Sequence, residues 1–197
     1  MLKIALFGGT FNPFHIGHYK MLEAVNFLED IDKIFVIPDK IPPHKQADFL
    51  ANDEVRQEMC RIAISNFEKA ELCLMEFDRE GKSYTFDTVS LLKERYPDAN
   101  FYFVLGGDML VYFPKWYKSD ELMKMMDFIA FRRSDTDNTE FDKSVQAFRN
   151  KGMKITVLDN EIPNVSSTEI RENFSSSKEL LPEKIYEYLR ERGVYGG

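Results

Sequence analysis

Two histidines three residues apart close a phrase that also holds two glycines and a threonine: Gly8-Gly9-Thr10-Phe11-Asn12-Pro13-Phe14-His15-Ile16-Gly17-His18. An apolar run, Leu2–Phe7, leads in, and an amphipathic run, Tyr19–Leu28, leads out. That order predicts a buried strand, a tight turn and a helix. Glycines let backbone approach a ligand without a Cβ in the way. A helix start presents unpaired N–H groups and a partial positive charge, a setting that favours phosphate. Residues three apart share one face of a helical turn, so His15 and His18 could both donate hydrogen bonds to phosphoryl oxygens. A strand-turn-helix with two ordinary surface histidines would leave the same pattern.

A second cluster lies near the other end, Val165-Ser166-Ser167-Thr168-Glu169-Ile170-Arg171. Ser166 with Glu169 fits a capping box and predicts a helix start. The three hydroxyls of Ser166, Ser167 and Thr168, the nearby N–H groups and the fork of Arg171 could also grip a polyphosphate. Between the two clusters stand four weaker phrases. Gly106-Gly107-Asp108 follows an apolar run, and Asp108 could accept from a ribose hydroxyl. In Ile41-Pro42-Pro43-His44-Lys45 the prolines stiffen a loop and Lys45 could reach a phosphate as a point charge. Ser83-Tyr84-Thr85-Phe86-Asp87-Thr88 opens a helix, and capping alone would explain Ser83 and Thr85. Lys115-Trp116-Tyr117 carries the single tryptophan, which in such a break between helical pieces is more often packed than a ligand platform.

These residues need elements to hold them. Strand and helix patterns alternate along the chain. Strands are expected at Lys33–Ile37, Glu71–Phe77, Phe101–Leu105, Asp127–Phe131 and Ile155–Leu158. Helices are expected from Asn52 (as cap) to about Ile64, over Thr85–Tyr96 and Met109–Phe113, after a Ser119 cap, over Phe141–Asn150 and over Pro182–Arg192. On the Asn52–Ile64 helix the apolar positions are Val55, Met59, Ile62 and Ala63. Arg132–Thr139 reads as a polar, mobile loop. Alternation of this kind predicts an α/β fold, a Rossmann-like doubly wound parallel sheet with helices on both faces. We expect one domain over residues 1–197 with a small C-terminal helical extension. In such sheets ligands bind beyond the carboxyl ends of the strands. Gly8, Gly106 and the Ile162–Ser166 segment all follow expected strand ends, so the fold would bring them together.

Composition narrows the function classes. Apolar residues make up 44% and charged residues 30%, which suits a globular chain. A net charge of −7 argues against a broad nucleic-acid footprint but not against a local phosphate site. No apolar run approaches a membrane span, and the N-terminus lacks a signal-peptide core, so a cytoplasmic protein is expected. Cys60 and Cys73 sit in apolar patterns and read as reduced core thiols rather than a disulfide or metal ligands.

The Gly8–His18 phrase resembles the H-x-G-H signature of nucleotidylyltransferases that share a fold with class I aminoacyl-tRNA synthetases. In full, G-G-T-F-N-P-x-H-x-G-H is similar to the nicotinate-mononucleotide adenylyltransferase branch, with Asn12 where many members carry Asp. An Asx-type turn serves either residue. S-S-T-x-I-R at the far end, with S-Y-T-x-D-T, P-P-H-K and G-x-D between, extends the resemblance from the first strand to Arg171. It implies transfer of AMP from ATP to nicotinate mononucleotide, with release of pyrophosphate. His18, His15 and Arg171 would be the catalytic residues, His18 donating to the α-phosphate. Gly8, Gly9, Thr10, Phe11, Gly106, Asp108, Ser166, Ser167 and Thr168 would complete the ATP side. His44, Lys45, Tyr84, Thr85, Trp116 and Tyr117 would border the mononucleotide, with Trp116 stacked on the pyridine ring. Mg²⁺ would arrive on the ATP phosphates rather than in a protein cage.

The resemblance implies no nucleic-acid or membrane partner and leaves homo-oligomerisation open. A sister transferase, such as phosphopantetheine adenylyltransferase or a cytidylyltransferase, would share H-x-G-H but not S-Y-T-F-D-T or K-W-Y. A synthetase fragment would carry a K-M-S-K-S-like lysine loop, which is absent. A non-catalytic nucleotide sensor would have no need of both histidines, Arg171 and the substrate-side phrases together.

Overall fold

The computed structural model describes residues 1–43, 49–133 and 138–196. Six parallel strands form one sheet: β1 (Lys3–Gly9), β2 (Lys33–Pro38), β3 (Ala70–Leu72), β4 (Asn100–Gly106), β5 (Asp127–Phe131) and β6 (Ile155–Leu158), in the order β3-β2-β1-β4-β5-β6. β1 is central, with Leu6 level with Phe35 of β2 on one side and Phe103 of β4 on the other.

Side chains alternate across a strand, and β1 shows the consequence. Ala5 and Phe7 join one core, Ile4 and Leu6 the other. The first core is roofed by α1 (Ile16–Asn26), α2 (Asp53–Ile64), α7 (Ser167–Glu172) and α8 (Glu183–Glu191), through Leu22, Met59, Ile170 and Leu189 among others. The second is roofed by α3 (Thr85–Arg95), α4 (Gly107–Tyr112), α5 (Ser119–Met125) and α6 (Thr139–Asn150), through Val89, Leu110, Leu122 and Phe148. With both faces covered, the strands can be apolar throughout, which is why β2 reads Lys-Ile-Phe-Val-Ile-Pro without a polar alternation. The doubly wound sheet matches the expectation. Among the described residues no helix is long and apolar enough to cross a membrane.

The differences are local. The edge strand β3 stops at Leu72 instead of running to Phe77, because the chain turns there. The Phe77 N–H bonds back to Leu74, and the carbonyls of Phe77 and Arg79 accept from Lys40 Nζ at 3.1 and 2.7 Å. Ser119 is the first residue of α5, not its cap; the cap is Lys118, in a left-handed conformation (φ 53°). α6 starts at Thr139, inside the stretch expected to be a loop. Arg132, at that stretch's other end, is held by Asp142 and Asp159. Of the expected apolar positions on α2, Met59 and Ala63 are buried and Val55 and Ile62 pack against the core at its margin; Arg56 and Cys60 are the buried residues not expected there. Burial pushes the Cys60 thiol well above its ordinary range and raises that of half-buried Cys73, which disfavours the thiolate at both.

Candidate active site

The strand order reverses between β1 and β4, and a cleft opens beyond their carboxyl ends, as doubly wound sheets favour. The cavity holds about 740 Å³. Gly8 and Gly9, the last residues of β1, line it with Thr10, Phe11, His15 and His18 beyond the strand, as do Gly106 at the end of β4 and Asp108 on α4. Tyr84 and Thr85 border it at the start of α3, and Trp116 and Tyr117 on the loop before α5. Ser166, Ser167, Thr168 and Arg171 complete the wall at α7. Two expected site residues, His44 and Lys45, lie outside the described residues.

The two histidines cap their own helix. His18 N–H donates to His15 Nδ1 at 3.3 Å, and His15 N–H donates to His18 Nδ1 at 3.2 Å. The rings stack 3.6 Å apart and 17° from parallel. Because each Nδ1 accepts, a neutral imidazole must carry its proton on Nε2. The tautomer thus follows from the hydrogen bonds, and Nε2–H is the donor each ring can offer a ligand. His18 is further fixed by Phe11 edge-on at 5.2 Å, and by Phe14 at 5.4 Å. Gly17 belongs to the same device. A Cβ there would come 3.1 Å from the His15 ring and 3.3 Å from the Pro163 carbonyl, so any side chain would displace the cap.

The glycine turn is tight for a reason other than ligand approach alone. A Cβ on Gly9 would lie 2.9 Å from the Phe11 ring, which folds back because Phe11 adopts φ 46°. Such a conformation costs a bulky residue on the order of 1–3 kcal/mol. It is held by burial, since Phe11 is 2% exposed against Phe7 and Phe14. The Thr10 hydroxyl donates to Asp39 Oδ2 at 3.2 Å.

Asn12 does not make the expected local turn. Its amide reaches across the fold, donating to the Phe49 carbonyl and accepting from the Ala51 N–H and the Tyr195 hydroxyl. Its own carbonyl accepts from Arg171 Nη1 at 2.9 Å, while Arg171 Nη2 donates to Thr168 Oγ1 at 3.1 Å. These two bonds set the plane of the guanidinium. The capping box expected at Ser166 and Glu169 does not form: Ser166 is the N-cap residue of α7 but its side chain makes no cap bond.

At the opposite end of the cleft, Tyr84 is the cap residue of α3 and no side chain caps that helix. The Tyr84 N–H bonds to the Lys82 carbonyl, so the donors that α3 can direct at a ligand begin at Thr85. Ser83 does not cap either. Its buried hydroxyl accepts from the N–H groups of Lys40 and Ile41 at 3.0 and 3.2 Å, tying the loop after β2 to the start of α3. Trp116 is half-buried, edge-on to Phe103 at 5.5 Å, and Tyr117 faces Tyr84 at 4.8 Å.

Sequence reasoning missed several residues of the wall. Asp108 is paired with Arg133 at 3.0 Å, and Arg132 and Arg133 both line the cleft. They were hidden in a charged stretch without a pattern. Asp39, Glu76 and Thr88 line it as well. Glu76 is 5% exposed and accepts from the Thr88 hydroxyl at 2.7 Å. An acidic residue beside S-Y-T-x-D-T was the available signal. No group of three or more His, Cys, Asp or Glu able to hold a metal occurs among the described residues.

Residues 6–173 match the model of the cytidylyltransferase-like family. A nicotinate-nucleotide adenylyltransferase from Bacillus subtilis is 42% identical over 202 residues, covering 99% of each chain. The chain belongs to the nicotinate-nucleotide adenylyltransferase family. A probable member from Listeria monocytogenes is 38% identical, covering 98% of this chain and 97% of its own. In fold, the chain is similar to the nicotinic acid mononucleotide adenylyltransferase of Plasmodium falciparum complexed with APC. The TM-score is 0.80 at 21% identity, over 99% of this chain and 98% of that one. The same Plasmodium protein complexed with NaAD gives a TM-score of 0.78. For this adenylyltransferase family member, the cleft lies beyond the carboxyl ends of β1 and β4.

Proposed function

We propose that the cleft transfers the adenylyl group of ATP to the phosphate of nicotinate mononucleotide, giving nicotinate adenine dinucleotide and pyrophosphate. The observation that carries this reading is the content of one cavity. Donors suited to a polyphosphate, from the histidine pair and α7, line one side, and an uncapped helix start with aromatic rings lines the other.

The mononucleotide phosphate is already a charged oxygen nucleophile, so no side chain has to form a covalent bond. An oxygen of that phosphate attacks the α-phosphorus, and the bond from the α-phosphorus to the bridging oxygen of pyrophosphate breaks. What the chain supplies is alignment and stabilisation of the charge that develops. His18 Nε2–H donates to the α-phosphate, and His15 Nε2–H to a neighbouring phosphoryl oxygen. Arg171, with Ser167 and Thr168 beside it, holds the departing pyrophosphate. Gly8, Gly9, Thr10, Phe11, Gly106, Asp108 and Ser166 shape the rest of the ATP side. The Asp108–Arg133 pair is half-exposed and worth little by itself, so a ribose hydroxyl can compete for the carboxylate. Mg²⁺ on the ATP phosphates would neutralise charge there, which suits a site whose own contribution is hydrogen-bond donors rather than an acidic cage.

At the other end, the N–H groups of Thr85 and Phe86 meet the substrate carboxylate in the positive field of an uncapped 11-residue helix, those of Asp87 and Thr88 being bonded to the Tyr84 carbonyl. Trp116, Tyr117 and Tyr84 flank the ring; His44 and Lys45, outside the described residues, are assigned to the mononucleotide by the sequence resemblance alone. A carboxylate accepts from two N–H donors. A carboxamide must turn its NH₂ toward one of them, and each buried polar group left unpaired costs about 1–3 kcal/mol. Pyrophosphate release with ATP, Mg²⁺ and a panel of acceptors tests the reading. Nicotinate mononucleotide should exceed nicotinamide mononucleotide by roughly 10²-fold in kcat/KM, with phosphopantetheine inactive. Equal rates for acid and amide, or a preference for phosphopantetheine, would contradict it.

A further inference from the structure

The C-terminal turn, Val194–Gly196, ends on the phosphate-side loop. The Tyr195 hydroxyl donates to Asn12 Oδ1 at 2.6 Å, a contact between residues 183 apart in sequence. Asn12 is 3% exposed, and both polar atoms of its side chain are hydrogen-bonded. Oδ1 accepts from Tyr195 and from the Ala51 N–H at 3.1 Å, and Nδ2 donates to the Phe49 carbonyl at 2.8 Å. Only one orientation of the amide meets all three, because a flip would set NH₂ against the Ala51 N–H. The backbone carbonyl of this locked residue is the group that Arg171 grips.

Tyr195 itself is held in a strained pose. It has φ 62° and ψ 27°, a left-handed conformation that side chains rarely adopt. Its ring packs edge-on to Phe49 at 5.7 Å and against Phe174 at 6.0 Å. Burial raises its phenol above the ordinary range, which favours the protonated, donating form.

We propose that Tyr195 is a positioning residue for adenylyl transfer. Through Asn12 it fixes the loop between Thr10 and His15 and, with it, the guanidinium of Arg171. The inference rests on the transfer reading above. It is specific to the ATP side, because Tyr84, Thr85 and Trp116 stand on other elements and share no bond with Asn12.

Tyr195→Phe removes the hydroxyl and keeps the ring, and Tyr186→Phe is the control. Tyr186 stacks on the other partner ring, Phe174, at 5.2 Å and lies outside the cleft. In steady-state pyrophosphate release, Tyr195→Phe should lower kcat/KM for ATP about tenfold, the equivalent of one good hydrogen bond. The KM for nicotinate mononucleotide and the melting temperature should stay near wild type, and the control should match wild type throughout. Unchanged kcat/KM for ATP, an equal rise in both KM values, or an equal loss in the control would each overturn the proposal. If wild type makes no dinucleotide, the transfer reading itself fails. Calorimetric titration with ATP then decides the positioning role. Weaker binding to Tyr195→Phe sustains it, and equal binding overturns it.

Discussion

His18 shows how one side chain serves two purposes with two atoms. Nδ1 accepts from the His15 N–H and completes the cap of α1, while Nε2 carries the proton and, in the proposed transfer, is the donor. The phenylalanines around it, Phe7, Phe11 and Phe14, leave the ring little freedom. A donor so preorganised loses nothing to reorientation as charge builds on the phosphate. His18→Ala should therefore reduce turnover by about 10²–10³, as for a deleted oxyanion donor. Loss of half a cap should cost about 1 kcal/mol of stability, so the variant stays folded at 25 °C. A folded His18→Ala protein with near-normal turnover would remove His18 from the mechanism. The spacing of the two histidines was plain in the sequence; their mutual capping was not. Capping rules favour Ser, Thr, Asp and Asn, so they pointed at Ser166 and Glu169, which form no cap bond, and passed over an imidazole that does.

Between elements, the fastening is done by Arg56 on α2. It is fully buried, and it donates to carbonyls of three separate segments: Thr10 at 3.2 Å, Ala51 at 3.2 Å, and Asp39 and Lys40 in the loop after β2. Asp53, one turn earlier, balances its charge. Ser83 accepts from the N–H groups of Lys40 and Ile41 and ties that loop to the start of α3. Arg56→Met keeps much of the volume but leaves buried carbonyls without donors. Unfolding in urea should show a loss of about 3–5 kcal/mol, the range for breaking a buried, hydrogen-bonded charge. An unchanged midpoint would mean the carbonyls find water instead. A charged residue inside an amphipathic pattern reads as the solvent face. That is why Arg56 was not expected inside, although Met59, Ala63 and the extent of the helix from its Asn52 cap to Ile64 were correctly legible. Likewise β5 and β6 match their apolar runs residue for residue, while β3 and the loop after it depended on Lys40, a partner more than thirty residues away.

Over the whole molecule, alternation of strand and helix made the doubly wound sheet legible, and glycines after β1 and β4 made the position of the cleft legible. Strand order was not, because periodicity says which face a side chain takes and nothing about which strand lies beside it. Nor was the return of Tyr195 to Asn12, since neither local propensity nor patterning encodes a contact across almost the full chain. The net charge of −7 is no obstacle to binding two anionic substrates. The cleft lining sets Arg132, Arg133 and Arg171 against Asp39, Glu76 and Asp108, so it does not share the acidic excess of the whole chain. The central claim is that this cleft moves the α-phosphorus of ATP onto a mononucleotide phosphate and lets pyrophosphate leave. Incubation with nicotinate mononucleotide, Mg²⁺ and ATP labelled at either the α- or the γ-phosphate tests it directly. The account predicts that α-label appears in nicotinate adenine dinucleotide and γ-label in pyrophosphate, in equal amounts. Gamma-label released as orthophosphate, or α-label remaining in AMP or ADP, would contradict it.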